Sequence, residues 1–373
     1  MSKKKRIVIA GLGDTGLLAA LKLHPDYDVV GLTPKPCLVS GQELGTRLAR
    51  LDVWRQHYLT AFPRYRGLDG MTVVQGLVRS VEPERRDLLV ETADGREQVL
   101  AWDALVIASG VTNGFWRTAK IESAAAIERA LAEDVARVAA AKRIAVVGGG
   151  AAGVSVASNL KDVWADKEVH LFHARDQVLP SYPKKVREDV ERRLTRQGVV
   201  LHADHRAKLA PDFAGDRLGP GRLEWTNGAP PFEADLVVFT LGRQRPNTGF
   251  LPAAMLDDDG FVRVDDRLRV PGFEGIFAVG DVAASDPERS SARNGGALVV
   301  AHNVRALLEG REGAMKVYTP PRHRWGSIVG PQRDGLRVYS PTGGSVRIPA
   351  WFVAKILFPI VVRRGMYGGV RDR

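Results

Sequence analysis

The chain has 373 residues, enough for two or three domains, and 45% are hydrophobic, so a large core is available. Its one cysteine, Cys37, excludes an internal disulfide framework, a C-x-x-C redox pair and a cysteine-based zinc site. The net charge of +11 is uneven: residues 311–373 hold 12 Lys/Arg against three Asp/Glu, whereas residues 7–310 are close to neutral, which points to an anionic partner for the tail, a membrane or a nucleic acid.

The opening MSKKKR runs straight into an apolar strand, Ile7 to Ile9, with no secretory h-region, so a cytoplasmic location is expected. Gly11, Gly13 and Gly16 follow in G-x-G-x-x-G spacing, and Leu17 to Leu23 reads as a helix. In such a unit the first glycine allows a tight turn. The second lets backbone approach a pyrophosphate, and the third lets helix pack close to strand. The helix N-terminus offers the phosphate free N–H groups and a favourable dipole. The pattern ordinarily ends about 20 residues on, with an acid that grips a ribose hydroxyl. Here the second strand is Val29 to Leu32. Thr33 stands in the acid's place, with Lys35 beside it.

Residues 71–110 read as short strands with an Asp-Gly turn at 94–95, closing on the apolar run 104–108 and then Ser109 and Gly110. Residues 122–141 form an Ala-rich helix. A second strand–glycine–helix unit follows: Ile144 to Val147, then Gly148, Gly150 and Gly153 in the same spacing, a helix, and a strand at 168–172. His173 takes the position of the ribose-binding acid, and Arg175 comes two residues later. An acid there would repel a 2′-phosphate, while an arginine accommodates one, so NADPH is expected over NADH. The alternation of strands and helices implies an α/β fold with two Rossmann-like dinucleotide-binding domains and parallel sheets.

Two later stretches carry a family resemblance. DLVVFTLGRQRPN (235–247) is a strand ending in Leu-Gly-Arg, with Gly242 at the turn. GIFAVGD (275–281) is a strand that delivers Gly280 and Asp281 at its carboxyl end. With the two glycine motifs, they resemble the two-dinucleotide-binding-domain flavoproteins, the pyridine nucleotide–disulfide oxidoreductase superfamily, over most of residues 6–310. The resemblance implies FAD at the first glycine motif and NAD(P)H at the second. It implies that the NAD(P) domain (116–241) is inserted in the FAD domain (1–115 and 242–310), followed by a basic C-terminal region (311–373). It implies that Asp281 hydrogen-bonds the ribityl chain of FAD, and that Ser109 and Gly110 sit where the chain crosses between domains. The helix opening near Gly295 in SARNGGALVV would turn its N-terminal N–H groups, around Ala297, towards the flavin.

Without a cysteine pair the thiol-based branches of the superfamily are excluded. The tail separates the rest. Ala350 to Val362 is apolar except for Lys355 and Pro359, too short to span a bilayer, and capped by Arg363 and Arg364. Such a run fits a segment lying in the membrane interface, or else a core helix or dimer contact. Its layout is similar to that of the ferroptosis-suppressor and type II NADH dehydrogenase relatives, where this region attaches the enzyme to a membrane and lines a quinone route. The expectation is therefore an FAD-dependent NAD(P)H:quinone oxidoreductase, peripherally membrane-associated, with no nucleic-acid partner, no metal and a possible homodimer. The flavin would carry the chemistry, since no acid/base or nucleophile constellation stands out among the eight histidines. Lys355 is a quinone-side candidate that could instead touch lipid phosphate. A soluble ferredoxin-type reductase and a weakly active nucleotide-binding redox sensor are the alternatives.

Overall fold

Two sheets organise the computed structural model, which describes residues 4–211, 213–242, 244–286, 295–320 and 325–372. The chain opens with β1 (Arg6–Ala10), α1 (Asp14–Leu23) and β2 (Asp28–Thr33). Two short helices follow, α2 (Leu44–Ala49) and α3 (Leu51–Tyr58). Next come β3 (Thr72–Glu82), β4 (Asp87–Thr92) and β5 (Glu97–Ala101), and β6 (Ala104–Ile107) returns beside β1. Helix α4 (Ala124–Ala140) leads to the second unit: β7 (Arg143–Val147), α5 (Ala151–Val163), β8 (Glu168–Phe172), α6 (Lys184–Arg196), β9 (Val200–His202), β10 (Gly219–Leu223) and β11 (Phe232–Phe239). The chain then comes back with β12 (Ile276–Ala278) and α7 (Gly296–Leu308).

The first sheet has the order β12-β6-β1-β2-β3-β4-β5, parallel from β12 to β3 and antiparallel from β3 to β5. The antiparallel part is the meander whose Asp-Gly turn the sequence announces; Gly95 has φ +81°. The second sheet has the order β9-β8-β7-β11-β10, parallel except for β10. All its strands lie between β6 and β12 in sequence. The continuous apolar runs are the central strands, with Ile7, Val8, Ile9, Leu105, Val106 and Ile144 fully buried, as two-sided coverage by helices requires.

The two units are stitched at several places. Residues 111–112 and 245–246, the outgoing and returning connections, pair antiparallel. Helix α2 lies so close to α5 that a Cβ on Gly45 would fall 2.3 Å from the Ser155 carbonyl oxygen. Arg50 donates to Asn159 Oδ1 at 2.5 Å and is ion-paired with Asp162.

The tail spans both units. Ile328, Val329 and Tyr339 join the second unit's core, and Val353, Phe358, Val362 and Tyr367 join the first unit's core. The apolar run begins as a helical turn at Ala350–Phe352 and continues as wide, π-type turns over Val353–Met366, with Pro359 inside them. One face is buried, and Phe358 stacks on His57 at 3.8 Å. The other is exposed, with Trp351 at 62% and Ile360 and Val361 at 50%. Several tail cations are neutralised by the body: Arg371 pairs with Asp69, and Arg337 with Asp189. Among the described residues no helix is long and apolar enough to cross a membrane.

Candidate functional site

The first glycine motif folds as its spacing requires. Gly11, at φ +113°, turns the chain sharply off β1, and a Cβ there would lie 2.3 Å from the Ala108 carbonyl oxygen. A Cβ on Gly16 would fall 1.9 Å from the Gly11 carbonyl oxygen, so this glycine lets α1 press against the turn. Gly13 is different. It precedes α1 in extended conformation, and its missing Cβ faces open space. The space belongs to a cavity of about 630 Å³ at the carboxyl ends of β1, β2 and β6. That is where an open α/β sheet places its ligand crevice, and the size suits a cofactor.

Of the residues expected at this site, Gly11, Gly13, Thr33, Lys35, Ser109, Gly110, Gly280 and Asp281 all line the cavity. Asp281 follows β12, with only a tenth of its side chain exposed, and its Oδ2 is 2.5 Å from Nη1 of Arg117. Arg117 reaches in from the crossover and also donates to the Gly41 carbonyl at 3.4 Å. The Ser109 hydroxyl donates to the Asn247 carbonyl at 2.8 Å, which ties the outgoing connection to the returning one. Asp14, at the start of α1, accepts from the Ser40 hydroxyl at 2.8 Å and so fixes the cavity rim.

At the far end, the Thr33 hydroxyl is used locally, donating to the Lys35 carbonyl at 3.2 Å. Lys35 points along the wall, its Nζ 3.0 Å from Glu122 Oε2. Cys37 also lines the cavity; burial pushes its thiol up to about 11, so it is protonated at neutral pH and no thiolate faces the site.

The second motif repeats the first. Gly148 has φ +127° and would meet the Thr240 carbonyl oxygen at 2.4 Å. Gly153 would meet the Gly148 carbonyl oxygen at 1.9 Å, and Gly150 faces open space. His173, at the end of β8, is buried against Gly149 and bonds through Nδ1 to the Arg175 carbonyl at 2.9 Å. Burial lowers its pKa, which favours the neutral ring. Arg175 is exposed. Gly242, at φ +68°, turns the chain away after β11 with open space beside it.

Gly16 and Gly153 therefore serve packing. Ala297 is buried in the first turn of α7 and does not line the cavity; Ser291–Asn294, the start of the quoted stretch, and Arg243 of the Leu-Gly-Arg turn lie outside the described residues. Lys355 is exposed on the outer face of the tail and also lies off the cavity. Reading the sequence missed Arg117, Ser40 and Glu122, which carry no motif; Asp14 alone adjoined one. Among the described residues no group of three His, Cys, Asp or Glu could hold a metal ion.

The family model for pyridine nucleotide-disulphide oxidoreductase matches residues 5–303. The chain is 29% identical to oxidoreductase ptaL of Pestalotiopsis fici, over 79% of this chain and 76% of that one. It is 28% identical to ferroptosis suppressor protein 1 of Xenopus laevis, over 84% and 83%. Among solved structures, a ferredoxin reductase of Rhodopseudomonas palustris superposes with TM-score 0.64 at 19% identity, covering 90% of this chain and 81% of that one.

Proposed function

The chain belongs to the pyridine nucleotide-disulphide oxidoreductase family, and from that premise we propose that it is an FAD-dependent NAD(P)H oxidoreductase delivering electrons to a quinone at a membrane surface. One observation carries the reading: the Asp281 carboxylate and the N-terminus of α1 open on the same cavity at the β1/β6 switch point. The residues fit FAD. Gly13 leaves room for a pyrophosphate at free helix N–H groups, and Asp281 is a partly buried acceptor at the opposite end from Thr33. When bound, FAD would take a hydride from NAD(P)H and pass two electrons to the acceptor.

This chain's residues position and shield. Gly11, Gly13, Ser109, Gly110 and Gly280 shape the cradle, and Asp281, held by Arg117, would accept from a ribityl hydroxyl. Gly148 and Gly150 form the corresponding cradle for NAD(P)H, with Gly153 packing the helix behind it and Gly242 at its edge. Arg175 supplies the exposed cation that favours a 2′-phosphate, and His173 holds the loop that carries it. We take 1–115 with 242–310 as the FAD domain, 116–241 as the NAD(P) domain and 311–373 as the membrane-facing region.

The quinone and membrane parts are supported by the half-packed tail. Its exposed Trp351, Ile360 and Val361 lie beside exposed Lys355 and Arg364, an arrangement suited to a lipid interface. That segment is linked to the cavity rim: Phe358 meets the Tyr58 ring at 6.1 Å, and the Tyr58 carbonyl accepts from the Ser40 N–H at 2.9 Å. The test is NAD(P)H oxidation with ubiquinone or menaquinone analogues, run beside a ferredoxin acceptor, with and without liposomes. Turnover with a quinone, raised by liposomes and preferring NADPH in kcat/KM, is expected. Turnover with ferredoxin alone would overturn the quinone assignment.

A further inference from the structure

The acid absent from position 33 leaves the adenosine end of the cavity without its usual anion. Among the described residues that line the cavity, the carboxylates are Asp14 and Asp281. Asp14 is held by Ser40 beside α1, and Asp281 lies after β12. Neither is at the end of β2. A third carboxylate is. Glu122 precedes α4, distant in sequence from β2, yet its backbone is sewn to that strand's end. Its N–H donates to the Pro34 carbonyl at 3.2 Å. Gln75, which pairs in register with Thr33, donates through one amide nitrogen to the Pro34 carbonyl at 3.2 Å and to the Glu122 carbonyl at 3.0 Å. The Glu122 carboxylate is 3.0 Å from Lys35 Nζ and accepts from the Thr118 hydroxyl at 3.4 Å. Lys35 and Thr118 both line the cavity, so Glu122 stands one contact behind its wall, a quarter exposed.

Resting on the FAD assignment above, we propose that Glu122 replaces the missing acid: its carboxylate, arriving from the crossover rather than from β2, accepts the hydroxyls of the adenosine ribose of FAD. The chemistry asks for a carboxylate at the end of the second strand and is indifferent to which segment brings it. Thr33, whose hydroxyl closes the turn onto Lys35, brings no negative charge to the role. Lys35 and Thr118 hold the Glu122 carboxylate at the cavity wall, and Gln75 locks both segments in register. A hydrogen bond to a charged group is the stronger kind, so the contact is large enough to measure.

The test uses FAD-stripped protein and two ligands, FAD and its analogue lacking both hydroxyls of the adenosine ribose, with dissociation constants from flavin fluorescence. Wild type is expected to prefer FAD by roughly tenfold or more. In Glu122→Ala the preference should collapse towards one, with Glu122→Gln intermediate. The ratio is internal, so a general weakening of the fold affects both ligands alike and leaves it unchanged. A preference that survives intact in Glu122→Ala, or its absence in wild type, overturns the proposal while the FAD assignment stands. Failure of wild type to bind either ligand overturns the FAD assignment itself.

Discussion

Gly13 and Gly16, three residues apart in one motif, should respond in opposite ways to the same added methyl group. In Gly16→Ala the new Cβ would lie 1.9 Å from the Gly11 carbonyl oxygen and 3.1 Å from the Ala108 Cβ. The first obstacle is backbone in a strained turn and cannot step aside, so the expected loss is about 3 kcal/mol or more. That is a large part of the stability of a typical domain. In Gly13→Ala the Cβ meets nothing within 4 Å, and the backbone at φ −70° and ψ −170° suits alanine. A weaker helix cap is offset by a less flexible unfolded chain, so stability should stay within about 1 kcal/mol of wild type. The methyl group now occupies the opening at the N-terminus of α1. A pyrophosphate there would lose about 1–3 kcal/mol, or roughly 5- to 150-fold in FAD affinity. Urea unfolding of the FAD-free proteins and FAD titration separate the two effects. Gly13→Ala binding FAD as tightly as wild type, or Gly16→Ala unfolding at the wild-type midpoint, would refute the reasoning.

Gly150→Ala should raise KM for NAD(P)H severalfold at unchanged flavin content; a drop in flavin content instead would contradict the division of labour between the two motifs. Arg117→Met strips the partly buried Asp281 carboxylate of its cation and should cost the FAD-free protein about 1–3 kcal/mol, read from the urea midpoint. Burial, with His170, His205 and His173 nearby, lowers the His202 pKa to about 4. The folded chain keeps this ring neutral where the unfolded chain, near 6.5, protonates it. Its contribution is therefore complete above about pH 6.5 and is lost as pH falls towards about 4. Urea midpoints across that window should fall more steeply in wild type than in His202→Phe. Replacing Trp351 and Ile360 by serine should lower co-sedimentation with anionic liposomes without changing the melting temperature, and wild-type binding should weaken with salt. Deleting residues 350–373 is a poorer test, because Phe358, Val362 and Tyr367 belong to the core.

Much of the site was legible in the sequence because its instructions are local. The glycine spacings, the strands before them and Gly280-Asp281 each lie within one short segment, and the sheet brings Gly11, Ser109 and Asp281 together at adjacent strand ends. Arg117 and Glu122 were illegible for the opposite reason. Their partners, Asp281 and Lys35, lie far off in sequence, and only the crossover's path makes them neighbours. At His173 the second motif's spacing gave the position, but only the fold shows that the buried ring bonds to the Arg175 carbonyl. In the tail, composition announced an apolar segment beside basic residues. It could not tell that wide turns around Pro359 would send Phe358 and Val362 inward and leave Trp351 and Ile360 outside.

The most direct measurement of the central claim is the visible absorption spectrum of the purified protein, before and after FAD is supplied and then under anaerobic NADPH. A bound flavin spectrum that bleaches when NADPH is added is expected. A protein that stays colourless after exposure to FAD, or a bound flavin that NADPH and NADH both leave unbleached, would contradict it.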